Sequence, residues 1–123
     1  MVNHTQEYVP IVQRAIAAYE GLMKLYAQDV AANQYFEHCL AEARTHRNGL
    51  QERLANPAYL ADVFKDTFYQ SIDHFLDSHR GEYGFDMPNP DPVKAQLAGQ
   101  YLSELSAIID DIIRVKNAQK QGL

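Results

Sequence analysis

Three side chains that commonly bind metal ions follow one another at steps of four residues, namely His38, Glu42 and His46. Such a row stays on one flank of a helix, because each step of four residues turns it by about 40°. A stable metal site needs three or four ligands, so another helix or a second subunit would have to complete this one. The alternative interpretation is an ordinary solvated flank with a Glu42–His46 contact. No cofactor is predicted.

A second candidate site begins where the apolar series of the same segment is interrupted by His46 and Arg47. A buried arginine needs a carboxylate or several carbonyls as partners, because an unpaired buried charge is very costly. Glu104 is the candidate partner, and Ser71 is another polar residue expected to face inward. These four residues predict a small polar pocket for an anionic ligand. In the alternative interpretation, Arg47 reaches solvent and its aliphatic stem covers the core.

Other catalytic chemistry has little support in the sequence. Cys39 is the only cysteine, so no intramolecular disulfide can form, and its inward position indicates core packing. We find no nucleophile-elbow motif and no phosphate-binding glycine loop. The N-terminal residues lack the pattern of a signal peptide, and no apolar run approaches a membrane span. A non-enzymatic protein in the cytoplasm, without membrane contact, is therefore expected.

Acidic residues are concentrated in the middle of the chain. The formal charge is −5, and residues 57–92 contain seven Asp/Glu but only two Lys/Arg. This balance argues against nucleic-acid binding, which depends on cations that neutralise phosphates. Four aspartates share one side of a predicted helix and continue into a loop with exposed aromatic residues, which is typical of a recognition surface. The predicted partner-binding residues are Asp62, Asp66, Asp73, Asp77, Glu82, Tyr83 and Phe85.

Two alternatives remain for this acidic surface. The aspartates can be a plain solvated face, although carboxylates at steps of four repel one another and aspartate is a weak helix former. The loop aromatics can instead fold back and cover the open end of the domain. The favoured partner is a protein, with basic character as a further expectation.

The elements that position these residues are four helices. Apolar residues recur at helical spacing, and Pro10, Asp29, Asn56-Pro57 and Asp91-Pro92 supply start signals. The fold class is therefore all-α, an antiparallel four-helix bundle that forms one domain over 1–123, with a long loop between helices three and four. The predicted helices span about 10–27, 30–55, 57–79 and 92–117.

Each predicted helix has an inward face. The residues expected on it are Val12, Ala15, Tyr19, Leu22 and Tyr26, then Ala32, Phe36, Cys39, Ala43, Leu50 and Leu54, then Leu60, Phe64, Phe68, Ser71, Ile72 and Phe75, and last Leu97, Tyr101, Leu105, Ile108, Ile112 and Val115. The fourth helix has a second apolar stripe of Leu102, Ile109 and Ile113, which predicts either a central position in the bundle or a homodimer interface.

These patterns lead to two functional hypotheses. The favoured one is a small acidic protein-binding or regulatory module that uses the acidic helix face and the aromatic loop. The alternative is a bundle that binds a small molecule or a metal ion, with its pocket around His46, Arg47 and Glu104.

Overall fold

The computed structural model describes residues 5–31, 34–56, 66–79 and 91–121, which form four helices and no strand. The all-α class and the four-helix bundle are therefore confirmed. Within these ranges no helix has an apolar stretch long enough to cross a bilayer. The helices are α1 (Thr5–Ala27), α2 (Gln34–Ala55), α3 (Asp66–His79) and α4 (Pro92–Gln121).

Ring contacts show that α1 and α2 run antiparallel. The ring centroids of Tyr19 and His46 lie 5.3 Å apart, and those of Tyr26 and Phe36 lie 6.0 Å apart. Residue numbers rise along α1 while those of the partners fall along α2, so the two helices point in opposite directions.

Ion pairs establish the same relation between α1 and α4. Arg14 Nε lies 2.7 Å from Glu104 Oε1, and Lys94 Nζ lies 2.8 Å from Asp29 Oδ2, just beyond the end of α1. Because α1 is antiparallel to both neighbours, α2 and α4 run parallel to each other. Helix α3 packs against α4 and also touches α2, where Phe75 meets His46 at 5.2 Å.

The core lies between the facing sides of all four helices. Most of the inward residues predicted from the sequence are buried, including the whole set of α1 and the isoleucine pair of α4. Tyr19, Leu22, Tyr26, Ala43, Leu105, Ile108 and Ile112 are completely inaccessible to solvent. Ala32, Leu60 and Phe64 lie outside the described residues, as does the predicted start of the third helix at Pro57.

Two inward predictions are wrong. Leu97 is 40 % exposed, because a row of residues at steps of four drifts by about 40° per step and has left the core side at this end of α4. Ala98 takes the buried position instead, at 1 % exposure. Ser71 is also exposed, on the flank of α3 that faces α2.

The start of α1 differs from the prediction as well. The helix begins at Thr5, so Pro10 lies inside it rather than in its first turn. Proline cannot donate the backbone hydrogen bond that this position would normally make. The earlier start buries the Tyr8 side chain to 1 % exposure, and this apolar burial offsets the missing bond.

The predicted cap at Asp29 is wrong, whereas the predicted cap at Asp91 is confirmed. Helix α2 begins only at Gln34, and the Asp29 carboxylate binds Lys94. Asp91 Oδ1 accepts hydrogen bonds from the backbone amides of Val93 and Lys94, both at 3.1 Å. These bonds satisfy two amides that the first turn of α4 would otherwise leave without a partner.

Candidate functional site

The acidic face of α3 points away from the core. Ile72, Phe75 and Leu76 are buried to 3 % exposure or less, while Asp73 and Asp77 are exposed. Asp73 makes no ion pair with any residue that the structure describes. The helix has this orientation because its apolar residues recur at steps of three and four, which places the aspartates on the opposite side.

The remaining members of the predicted surface are not described at the level of side chains. Asp66 is the first residue of α3, and its side chain falls outside what the structure describes. Asp62, Glu82, Tyr83 and Phe85 lie outside the described residues, and their part in a surface stays a prediction.

A groove runs between α3 and α4 beside this acidic face. It has a volume of about 360 Å³ and is lined by Leu76, Gly99, Leu102, Ser103 and Ser106. Leu76 follows Asp73 by three residues, so the groove and the acidic face share an edge of α3. The groove was not predicted from the sequence. Its signal was the run of small residues at 99, 103 and 106 on one flank of α4.

The charges around the groove have one sign. Asp73 and Asp77 border it on α3, and Asp110 follows Ser106 by four residues on the same flank of α4. Neither α3 nor residues 95–113 of α4 contain a lysine or an arginine. The cations of α4 nearest to the groove pair elsewhere, since Lys94 binds Asp29 and Arg114 binds Asp111. The carboxylates beside the groove therefore give this side of the bundle a negative potential.

The second apolar stripe of α4 borders the same groove. Leu102 and Ile109 are partly buried and pack against the core, whereas Ile113 is 38 % exposed. Most of the stripe is thus covered within the chain, and its use in a homodimer remains a prediction.

His46 occupies a different place from the one the metal hypothesis requires. Its ring stacks on Tyr19 with an interplanar angle of 14°, and its Nδ1 lies 3.4 Å from Ser71 Oγ. His38 instead pairs with Glu42 at 2.7 Å on the outer side of α2, where the His38 side chain is 70 % exposed. Across the four described ranges, no group of three metal-binding side chains is assembled.

The predicted polar pocket is divided between two regions. His46 and Ser71 are close together, as expected for that pocket. Arg47 extends along the side of α2, where its Nε donates to Asn48 Oδ1 and its Nη1 lies 3.9 Å from Glu20 Oε1. This arrangement matches the alternative interpretation, in which the arginine stem covers the core.

Glu104, the fourth predicted member, contacts a different arginine. Arg14 on α1 donates to Glu104 at 2.7 Å and to Asp111 at 2.6 Å, and Asp111 also accepts from Arg114 at 2.5 Å. The hydrogen bond to Glu104, followed by the one to Asp111, raises the pKa of Arg14 above its ordinary value. This network lies on the flank of α4 that faces α1, so Glu104 cannot also complete a pocket beside Arg47.

The Tyr19 hydroxyl is a buried polar atom on the ring that stacks on His46. Tyr19 is inaccessible to solvent, and its hydroxyl has no hydrogen-bond partner among the residues that the structure describes. Burial disfavours the charged form and raises the pKa of this phenol far above its ordinary value. Cys39 is likewise buried, at 1 % exposure, and so has the inward packing role predicted for it.

Comparison of the chain with protein-family models, curated proteins and solved structures finds no match.

Proposed function

We propose that this protein is a non-enzymatic binding or regulatory module that recognises a basic protein partner through the acidic face of α3. The observation that carries the proposal is the outward position of Asp73 and Asp77 opposite a fully buried apolar face. Charged groups on such a surface speed the encounter with a partner of opposite charge and reject partners of the same charge.

The acidic face also carries a cost for α3, which favours a role beyond stability. Asp73 and Asp77 are four residues apart, and like charges at this spacing repel each other. Asp77 also lies in the last turn of α3, where the helix dipole favours cations over carboxylates. Residues that destabilise the helix in which they lie are typical of functional surfaces.

A cytoplasmic site of action is part of the proposal. The single cysteine fits a reducing compartment. Partner contacts from Glu82, Tyr83 and Phe85 would extend the surface beyond α3.

The test compares the wild-type protein with the double variant Asp73→Lys plus Asp77→Lys, each immobilised and incubated with extract of the source cells. Bound proteins are identified by mass spectrometry, and the leading one is purified for direct titration. We expect the double variant to lose this protein. Raising the salt from about 0.1 to about 1 M should weaken wild-type binding, because the Debye length falls from roughly 10 to roughly 3 Å.

The matched control is Glu37→Lys plus Glu52→Lys on α2, which makes the same change in net charge at two exposed positions. Circular dichroism would verify that both double variants remain helical. Equal retention of the captured protein by both double variants, or equal loss, would reject the α3 surface.

A further inference from the structure

The groove between α3 and α4 has the shape and the surroundings of a docking site for part of a partner. It is lined by the apolar side chains Leu76 and Leu102 and by three small residues of α4, Gly99, Ser103 and Ser106. Small residues let a second backbone come close, because the distance between packed helices depends on the side chains at their contact.

The dimensions favour a helix as the occupant. Residues 99 to 106 extend about 10 Å along α4, roughly two turns of a helix lying beside it. An extended peptide usually binds by adding a strand to a sheet edge, and the described residues contain no strand to receive it. An amphipathic helix needs only an apolar groove for its side chains at i, i+3, i+4 and i+7.

The charges determine the polar side of that helix. Asp73 and Asp77 border one side of the groove and Asp110 lies on the other, with no lysine or arginine on α3 or in residues 95–113. We propose that this groove receives the apolar face of a basic amphipathic helix, whose Lys or Arg side chains flank the apolar residues and meet the three carboxylates. The inference rests on the proposed function, since it specifies what kind of partner the acidic face recognises.

Gly99 allows the groove to be filled without disturbing the fold. A Cβ atom placed on Gly99 meets no atom of the described residues within 4 Å. Gly99→Leu therefore puts an apolar side chain into the open groove, and the loss of glycine favours the helical conformation of α4. The matched control is Gln51→Leu, which adds the same side chain at an exposed position of α2.

The probe is a fluorescein-labelled synthetic peptide of about 18 residues, five helical turns, with leucine at i, i+3, i+4 and i+7 and lysine elsewhere. Its binding is titrated by fluorescence anisotropy against the full chain and both leucine variants. We expect Gly99→Leu to weaken binding at least about tenfold, since it blocks the central contact. Gln51→Leu should leave binding unchanged.

Each other outcome overturns the inference in a recognisable way. Binding that resists Gly99→Leu but disappears in Asp73→Lys plus Asp77→Lys would retain the acidic surface and remove the groove. No binding of the peptide by the wild-type chain would exclude a basic helix, while the extract experiment still tests the acidic surface. A dimer in light scattering that Gly99→Leu converts to a monomer would identify a second copy as the occupant.

Discussion

Tyr19→Phe is expected to stabilise the protein, although deletions of buried atoms usually destabilise. The substitution removes one hydroxyl oxygen that is buried without a hydrogen-bond partner in the described part of the chain. A buried polar group left unpaired costs about 1–3 kcal/mol. The ring itself remains, together with its stack on His46 and its edge contact with Phe75 at 5.0 Å. The free energy of unfolding should therefore rise by about 1 kcal/mol or more at neutral pH.

Alkaline pH should enlarge this difference. In the folded state burial raises the pKa of Tyr19 far above 10, the ordinary value of tyrosine, so the phenol stays protonated there. Unfolding releases it to ionise at its ordinary pKa, so the wild type loses stability as the pH rises above about 10, by about 1.4 kcal/mol per pH unit. Tyr19→Phe cannot ionise, and its advantage at about pH 11 should exceed that at pH 7 by about 1.4 kcal/mol.

Urea unfolding followed by circular dichroism, at about pH 7 and about pH 11, measures the difference in free energy of unfolding between Tyr19→Phe and the wild type. Other titrating groups are present in both proteins, so their effects cancel in this difference. The control is Tyr26→Phe, since Tyr26 is equally buried but is not without a partner. Tyr26→Phe should therefore raise the free energy of unfolding by less than Tyr19→Phe does. If Tyr19→Phe lowers the stability at pH 7, or if its advantage does not grow at high pH, the description of the Tyr19 site is wrong.

Two further predictions concern the helices. Gly21→Ala should lower the free energy of unfolding by about 1–3 kcal/mol, because the new Cβ would overlap the Tyr101 ring, whereas Gly99→Ala should raise it by about 0.5–1 kcal/mol. Urea unfolding of both variants checks this, and shifts of the same sign would contradict it. Asp91→Ala should cost about 1 kcal/mol, because two amides of α4 lose their acceptor. Substitution by Asn, which also caps helices, should restore most of that loss in the same assay.

The start of a helix could be predicted from the sequence where neighbouring residues alone determine it. Asp91-Pro92 predicted the start of α4, and the helix begins there with the expected cap. Asp29 has the same chemistry but does not cap α2: it lies in a turn before that helix, and its carboxylate accepts hydrogen bonds from Lys94 in a distant part of the chain. Pro10 was a reasonable start signal, yet burial of Tyr8 outweighed it. At both Asp29 and Pro10, contacts with distant parts of the chain accompany the departure from the predicted helix start.

The candidate site was predictable in part for the same reason. Helical spacing alone put Asp73 and Asp77 on an outer face. It could not determine which helices are neighbours, so Glu104 was assigned to Arg47 although its flank of α4 faces Arg14 on α1. Predicting the groove would have required knowing that α3 packs on α4 and how far apart they lie. The spacing of apolar residues within one helix gives neither.

The contact between Gly21 and Tyr101 links two positions that are far apart in sequence. The aromatic ring lies directly over the backbone of α1 at the one place where no side chain projects. Sliding α1 by a turn along α4 would bring a residue with a side chain under the ring, so the pair fixes the axial alignment of these helices. The two positions should consequently tolerate change only together: a larger residue at 21 becomes acceptable when the ring at 101 is removed.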